Sequence, residues 1–155
     1  MDVVPPHVRS KMMSTIRGRD TKPELVLRKA LHGQGFRYRL HAKHLPGRPD
    51  LVLPKWNAVI FVHGCFWHRH PECRFATTPA TRPDFWRKKF EANVLRDARA
   101  EAEIRKRGVR IAIVWECGLR RPDRALETLD AVREWLTGPT DRFESRLVEP
   151  IRTEG

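Results

Sequence analysis

Two predominantly apolar runs, at residues 58–62 and 109–115, constrain the fold of this chain more than any other feature. Such a run lacks the polar alternation of a half-exposed strand and is typical of a strand buried on both faces. A sheet built on such strands needs a layer of helices on each side. The two runs therefore predict an α/β protein in which they form the core of the central sheet.

The patterns around these runs predict the element order α-β-β-β-α-β-α, which implies a mixed sheet with helices on its faces. Thr21, Pro23 and Glu24 have the residue types and spacing of a helix start. Gly33 and Gly35 are expected to end that helix. The other predicted helices lie at 84–107 and about 123–137, and the predicted strands lie at 36–40, 50–53, 58–62 and 109–115.

The domain organisation follows from the same patterns. Residues 21–137 are expected to form a single domain, and residues 63–83 within it show no regular periodicity. A basic segment at 1–20 precedes the domain, and a polar tail at 138–155 that we expect to be loose follows it.

The charge of the chain points to a polyanionic partner, most often a nucleic acid. The 155 residues include 31 Lys and Arg against 19 Asp and Glu, a formal net charge of +12. Residues 1–77 alone hold 14 basic and 5 acidic side chains. The alternative is a basic surface that is simply solvated. The segment at 1–20 is expected to be a short helix or an arm that orders on its partner, with the cations Arg9, Lys11, Arg17 and Arg19.

Composition excludes several other classes of protein. With 40% apolar residues the chain can build a core, so disordered, collagen-like and disulfide-stabilised folds are excluded. No stretch approaches the ~18 apolar residues that span a membrane, and the first residues lack the pattern of a secretory signal. We therefore expect a cytoplasmic protein whose cysteines are reduced and either bind a metal or pack in the core.

The cysteines and one histidine have the spacing of a metal site. Cys65, His70 and Cys73 form a C-x4-H-x2-C pattern in the irregular segment, and Cys117 follows a core strand. Three thiolates and one imidazole complete a tetrahedral zinc site with no position for water, so the site would be structural. The alternatives are that these are core cysteines with a surface histidine, or that His68 replaces His70 as a ligand.

A carboxylate, a carbonyl and a histidine are predicted to meet at one end of the sheet. Asp50 begins one apolar strand, and Val62 and His63 end the next, so pairing of the strands brings them together. The Asp50 carboxylate and the Val62 carbonyl are hard oxygen ligands suited to Mg²⁺, and a nearby histidine can take a proton from an attacking water. Glu24 is a further candidate residue near the metal, although a capping box at the start of the first helix would by itself explain a glutamate at this position. The alternatives are a turn-forming role for Asp50 and core packing for His63 and His68.

Three large aromatic side chains lie on or beside the irregular segment. Phe66 and Trp67 follow Cys65, and Trp86 is the first residue of the apolar face of the helix predicted at 84–107. Aromatics in basic surroundings can stack on bases or wedge between base pairs, and core packing is the alternative. The remaining tryptophans are expected in the core: Trp56, Trp115 and Trp135.

Three short runs together resemble the very short patch repair (Vsr) family of DNA mismatch endonucleases. They are Gly47-Arg48-Pro49-Asp50, Val62-His63-Gly64-Cys65-Phe66-Trp67-His68 and Val114-Trp115-Glu116-Cys117. The resemblance extends from about residue 9 to residue 135, and the run from His63 to His68 is highly specific. It implies a restriction-endonuclease-like fold and Mg²⁺-dependent nicking of one DNA strand 5′ to the thymine of a T:G mismatch, which arises when 5-methylcytosine deaminates.

The resemblance also implies a role for each candidate residue. Asp50 and the Val62 carbonyl would bind Mg²⁺, and Glu24 would reach it through water. His63 and His68 would serve the attacking water and the scissile phosphate. The structural zinc ligands would be Cys65, His70, Cys73 and Cys117, the wedge would be Phe66, Trp67 and Trp86, and the contacts to the DNA backbone would be Arg9, Lys11, Arg17 and Arg19.

Two positions depart from the expected pattern. His63 stands where the broader nuclease superfamily has the lysine of an acid-x-lysine pair, and Val62 stands where the Vsr family often has threonine. If only the carbonyl at position 62 binds metal, valine is harmless, whereas a role for the hydroxyl would reduce activity.

The resemblance implies a monomer that acts on double-stranded DNA with a T:G mismatch. It also suggests functional links to a DNA cytosine methyltransferase and to mismatch-repair proteins. The alternatives are a nuclease of the same fold with restriction-type or structure-selective specificity, and a non-catalytic zinc-containing DNA-binding module.

Overall fold

The computed structural model describes residues 20–146 of the chain. Residues 147–155 lie outside this range, as do the cations expected to contact the DNA backbone: Arg9, Lys11, Arg17 and Arg19. In chain order the elements are α1 Lys22–Gly33, β1 Arg39–Leu40, β2 Leu51–Leu53, β3 Ala58–His63, α2 Pro83–Lys106, β4 Arg110–Trp115, α3 Pro122–Thr137 and β5 Arg142–Glu144. Short 3₁₀ helices at Pro54–Trp56 and Glu116–Leu119 follow β2 and β4.

The described strands form a mixed sheet in the order β1-β2-β3-β4-β5. β1, β2 and β3 are antiparallel neighbours, whereas β4 runs parallel to β3 and β5 runs parallel to β4. β3 and β4 pair along their whole length, from Ala58 beside Arg110 to His63 beside Trp115. The two apolar runs are therefore neighbouring inner strands, and their carboxyl ends meet at one edge of the sheet.

The two faces of β3 pack against different helices. Ala58 and Ile60 share a core with the inner faces of α1 and α3. Val59 and Phe61 point to the other face, where they share a core with Ile104 of α2. α2 supplies the long crossover that two parallel strands require. The predicted mixed α/β architecture, with helices on both faces of the sheet, is confirmed.

The helix boundaries lie close to those that the sequence predicts. Thr21 caps α1 by accepting a hydrogen bond from the Glu24 backbone N–H at 3.4 Å, and the helix ends at Gly33. α2 ends just before Gly108, whose φ of 79° is easily reached only by glycine. Between residues 20 and 146, no helix combines the length and the apolar character needed to cross a membrane.

Two strands differ from the prediction. β1 covers only Arg39–Leu40, because the Phe36 ring turns into the core and packs on Trp56 at a centroid distance of 5.4 Å. After Gly138, where a loose tail was predicted, Arg142–Glu144 forms β5 beside β4. A three-residue edge strand is too short to show a period-two pattern, so the sequence carries no clear signal for it.

Candidate functional site

Asp50, Val62 and His63 meet where β2 begins and β3 ends. The two strands are antiparallel neighbours, so the start of one lies beside the end of the other. The backbone N–H of Val62 donates a hydrogen bond of 2.7 Å to Oδ2 of Asp50. This bond fixes the carboxylate at the edge of the sheet, and the structure thus brings together the three residues that strand pairing predicts.

A second carboxylate, that of Glu24, lies next to Asp50. Glu24 is on the inner face of α1 and is only 1% exposed. Burial, with a smaller contribution from the Glu24 carboxylate, raises the pKa of Asp50 to about 8 against the opposing effect of the Val62 hydrogen bond. Two carboxylates this close in a low-dielectric site repel each other, and a divalent cation relieves that repulsion. The pair therefore has the chemistry of a site for a hard cation.

The Glu24 carboxylate is held by two side chains that the sequence analysis left without a role. Arg28 Nη1 lies 2.7 Å from Oε2 of Glu24, and His41 Nε2 lies 3.0 Å from the same oxygen. His41 has a left-handed backbone (φ 48°), and its N–H donates to the carbonyl of Asp50. Although Thr21 caps the helix, the carboxylate of Glu24 bonds to Arg28 and His41. The capping box therefore does not by itself account for this acid.

His63 and His68 form a stacked pair. Their ring centroids are 3.9 Å apart and their planes differ by 4°. Burial, together with the neighbouring His68, lowers the pKa of His63 well below that of an exposed histidine. His63 is 7% exposed, so it is held as a neutral ring at the floor of the site.

Asp97 of α2 forms a hydrogen bond with His68, and it is a residue to which the sequence analysis assigned no role. Its Oδ2 lies 2.7 Å from Nδ1 of His68. With Nδ1–H donated to this carboxylate, Nε2 is left as the nitrogen that can accept a proton. A signal was present in the sequence, because Asp97 follows Phe90 by seven residues and precedes Ile104 by seven, on the apolar stripe of the helix.

The buried cysteines and one histidine form a cluster that can hold a metal ion. The ligand atoms of Cys65, His70, Cys73 and Cys117 all lie within 4.8 Å of one another. His70 Nδ1 is 3.6 Å from Cys65 Sγ and 3.5 Å from Cys117 Sγ. The structure places His70 in this cluster, whereas His68, the other candidate, is paired with Asp97.

Trp115 lies between this cluster and the histidine pair. Its ring stacks on His70 at 4.2 Å and meets the edge of the His63 ring at 5.4 Å. The indole Nε1–H donates to Glu144 of β5 at 3.0 Å, which fixes the ring. The cysteine–histidine cluster and the histidine pair therefore both pack against the ring of Trp115.

The aromatic side chains predicted to act on DNA are gathered in a second cluster. Phe66 meets Trp67 at 4.9 Å and Trp86 at 5.9 Å between ring centroids. Phe90, buried beneath them, meets the Phe66 ring at 5.2 Å with a perpendicular geometry. Phe66, Trp67 and Trp86 are half-buried, so each keeps part of its ring available to a partner.

One cleft of about 1340 Å³ is lined by part of the carboxylate site, by the histidine pair and by two of the three rings predicted to act on DNA. Its walls include Asp50, His63 and His68 at one place and Phe66 and Trp67 at another. Several cations also line it, namely Lys22, Lys43, Arg48, Lys89, Arg96 and Arg120. The arrangement suits a phosphate-bearing chain that passes a candidate cation site beside half-buried aromatic rings.

Comparison with known proteins agrees with the resemblance carried by the motifs. Residues 1–74 match the family model described as DNA mismatch endonuclease Vsr. The chain is 42% identical over 139 residues to the DNA mismatch endonuclease Vsr of Escherichia coli (strain K12), with 88% of each protein covered. It is 48% identical over 118 residues to a type II nicking enzyme of Xanthomonas oryzae pv. oryzae, covering 76% of this chain and 86% of that enzyme. A type II nicking enzyme of Neisseria meningitidis is 42% identical over 134 residues, covering 86% of this chain and 95% of that enzyme.

Proposed function

The chain belongs to the Vsr family of DNA mismatch endonucleases, and from this membership we propose that it nicks one strand of duplex DNA 5′ to the thymine of a T:G mismatch. The observation that carries the proposal is that Asp50, His63 and His68 share one cleft with an aromatic cluster. We propose a restriction-endonuclease-like fold for the mixed sheet that holds them.

Mg²⁺ is the proposed catalytic ion. Asp50 and the carbonyl of Val62 are its proposed ligands, and Glu24 is proposed to reach it through water. The raised pKa of Asp50 supports this proposal, because the site disfavours a second negative charge when no cation is present. When bound, the ion would supply Lewis-acid polarisation of the scissile phosphate. Because every residue type has a backbone carbonyl, valine at position 62 is compatible with the proposal.

The two histidines are proposed to divide the proton chemistry. His68 is oriented by Asp97, so its Nε2 is the proposed acceptor of the proton from the attacking water. His63 stays neutral because burial lowers its pKa, and a neutral imidazole can position the water or the phosphate through one hydrogen bond.

Zinc is the ion proposed for the cysteine cluster, in a structural role. Tetrahedral zinc, with bonds of about 2.3 Å to sulfur and about 2.1 Å to nitrogen, places its sulfur and nitrogen ligands roughly 3.6 Å apart. The separations of His70 Nδ1 from Cys65 and Cys117 sulfur, 3.6 and 3.5 Å, match that value. Three thiolates and one imidazole leave no position for water. The ion would brace the loop that carries Phe66, Trp67 and His68.

Phe66, Trp67 and Trp86 are the proposed wedge that opens the duplex beside the mismatch. A mismatched pair costs less to unstack than a matched pair, so insertion of rings favours mismatched DNA. The half-buried rings already pack on one another, with the ring centroids of Phe66 and Trp67 4.9 Å apart. This packing reduces the conformational entropy that the rings lose when they bind DNA.

The phosphate backbone is proposed to be held by the cations of the cleft together with the basic segment that precedes α1. Among the described residues, Lys43, Arg48, Arg96 and Arg120 line the cleft that contains Asp50. Arg9, Lys11, Arg17 and Arg19 remain the proposed contacts from the preceding segment.

A strand-specific nicking assay tests this function. A labelled duplex with one T:G mismatch and its matched counterpart are incubated with and without Mg²⁺, using the wild type, Asp50→Ala and the control Asp123→Ala, which changes an exposed acid of α3. We expect a Mg²⁺-dependent nick 5′ to the thymine, absent with matched DNA and with Asp50→Ala, and retained by Asp123→Ala.

Two other outcomes would contradict the proposal. Equal cleavage of both duplexes would indicate a nuclease of restriction-type or structure-selective specificity. Tight binding of DNA without cleavage, in a series of methylation-site contexts, would indicate a DNA-binding module without catalytic activity.

A further inference from the structure

Arg69 lies between two proposed functional residues, and the proposed catalysis, metal binding and DNA contacts do not involve its side chain. It follows His68 of the histidine pair and precedes His70 of the cysteine cluster. Its backbone is left-handed, with φ of 55°, a conformation that non-glycine residues seldom adopt. In this conformation the side chain reaches residues 76–78 of the same loop.

The guanidinium of Arg69 ties the irregular loop together. Nη1 donates to the carbonyl oxygens of Phe66 at 3.1 Å and Thr77 at 2.8 Å. Nη2 donates to the carbonyl of Ala76 and to Oγ1 of Thr78, both at 3.0 Å. The planar group thereby links Phe66, near the start of the loop, to residues 76–78, near its end.

The same guanidinium is stacked on the aromatic cluster. Its central carbon lies 3.9 Å from the centroid of Phe90 and 5.7 Å from that of Phe66. Burial lowers the pKa of Arg69, and its nitrogens are directed to protein acceptors within the loop. These contacts favour a role inside the loop over a contact to the phosphate backbone of DNA.

The carbonyl and the ring of Phe66 are therefore both placed by one side chain. Arg69 binds the carbonyl directly, and it covers Phe90, whose ring supports that of Phe66 at 5.2 Å. We propose that Arg69 is a positioning residue for mismatch recognition, which holds Phe66 and the attached Trp67 in the geometry for insertion before DNA binds. This inference rests on the proposed wedge function of these rings.

Lysine cannot replace arginine here. A lysine ammonium is a point donor on a flexible stem, whereas this site uses the planar fork to reach acceptors on both sides and to stack on a ring. Arg69→Lys keeps the charge but loses the geometry, so it separates the two contributions. Arg133→Lys is the matched control, because Arg133 lies on the exposed face of α3 and pairs only loosely with Asp130, at 3.8 Å.

The test compares two substrates by single-turnover nicking. One is a duplex with a single T:G mismatch, and the other carries the same mismatch beside several unpaired positions, so that it is already open. We expect Arg69→Lys to nick the first substrate about tenfold more slowly, a loss comparable to one base stacking contact. On the opened substrate its rate should stay close to that of the wild type, and Arg133→Lys should match the wild type on both. Equal losses on both substrates, or no loss on either, would overturn the proposal.

A double-mutant cycle and a second variant keep the test decisive. If Arg69 acts through Phe66, Arg69→Lys should add almost nothing to the defect of Phe66→Ala, and additive defects would contradict the proposal. Phe90→Leu leaves the hydrogen bonds of the loop in place and removes the ring that Arg69 covers. It should show the same dependence on substrate, and Arg69→Gln, which keeps a hydrogen-bond donor but loses the stacked guanidinium, takes the place of Arg69→Lys if that variant folds poorly.

The wild type separates this proposal from the proposed function. A wild-type enzyme that nicks matched and T:G duplexes alike would overturn mismatch specificity itself. If the wild type prefers the T:G duplex and both Arg69→Lys and Phe90→Leu keep that preference, only the role of Arg69 fails.

Discussion

At the scale of single residues, the two neighbouring carboxylates of the site differ in how their charge is balanced. Glu24 is bound by Arg28 and His41, and Arg28 also reaches Asp20 at 2.6 Å. Among the described residues, no cationic side chain forms an ion pair with Asp50. Its hydrogen bond comes from the backbone of Val62. A bound divalent cation would balance the negative charge of the Asp50 carboxylate.

This imbalance makes the stability of the ion-free protein depend on pH. The pKa of Asp50 is about 8 in the folded state and about 3.9 in an unfolded chain, so between these values the folded state holds a proton that the unfolded state has lost. The free energy of unfolding therefore falls as pH rises through this window. In buffer without Mg²⁺, we expect the wild-type Tm to fall more than that of Asp50→Asn between pH 5 and pH 8. Parallel Tm curves for the two proteins would contradict the prediction.

Asp97 gives a prediction for the reaction itself. Asp97→Asn removes the carboxylate that fixes the tautomer of His68, and loss of such an orienting partner lowers activity by about 10–100-fold. We expect the single-turnover nicking rate to fall by this factor, with affinity for T:G duplex unchanged. Asp84→Asn, an exposed acid at the start of the same helix, is the control. A large loss of affinity with an intact rate would assign Asp97 to DNA binding.

Sequence reasoning found the residues of this site more readily than their partners. Asp50 and His63 are placed by strand ends, and strand ends can be predicted from apolar runs. His41 contacts Glu24 from a left-handed backbone conformation, and position 41 carries no glycine or asparagine that would signal this conformation. The choice between His68 and His70 depended on the position of Asp97 along α2, which requires the packing of that helix to be known.

At the scale of elements, the irregular segment between β3 and α2 depends on contacts distant in sequence. Cys65 N–H donates to Oε1 of Glu116 at 3.1 Å, and His70 meets Cys117 at 3.5 Å. Arg69 closes the segment from within. A loop of this length with few aliphatic side chains has little core of its own, so these cross-links determine its shape.

Cys117→Ser should release this segment. Loss of one thiolate weakens the cluster for a bound ion, and we expect reduced zinc content together with a Tm lower by about 10 °C or more. Limited proteolysis should then cut within residues 64–82 while the rest of the domain resists. Normal zinc content with a normal melting curve would refute a structural metal at this site.

Helices were predicted almost to the residue because their signals are local. Thr21 and Gly33 mark the ends of α1, and Gly108 closes the turn that follows α2. β5 gave no such signal, since its stability depends on pairing with β4 and on the ion pair of Arg142 with Glu101 at 2.6 Å. Such partners lie far away in sequence and become visible only when the sheet is assembled.

At the scale of the whole molecule, cations line the same cleft as the proposed catalytic residues. Binding of DNA should therefore release counterions and weaken as salt rises. Arg96→Gln should lower the slope of log affinity against log salt by about one, equally for matched and T:G duplexes. Arg133→Gln, on the exposed face of α3, should leave the slope unchanged. A change confined to T:G duplex would instead assign Arg96 to recognition of the mismatch.

The parallel pairing of β3 with β4 also determines when the site comes into being during synthesis. Asp50, His63 and His68 are made early, but the strand that supports them, and Glu116 and Cys117 at its end, are made some fifty residues later. Contacts of such sequence separation form late, after the intervening chain has been released and ordered. A nascent chain that has emerged only as far as α2 therefore carries the reactive side chains without the framework that aligns them. We therefore expect nuclease activity to appear only after β4 and the residues that follow it have been made and have folded.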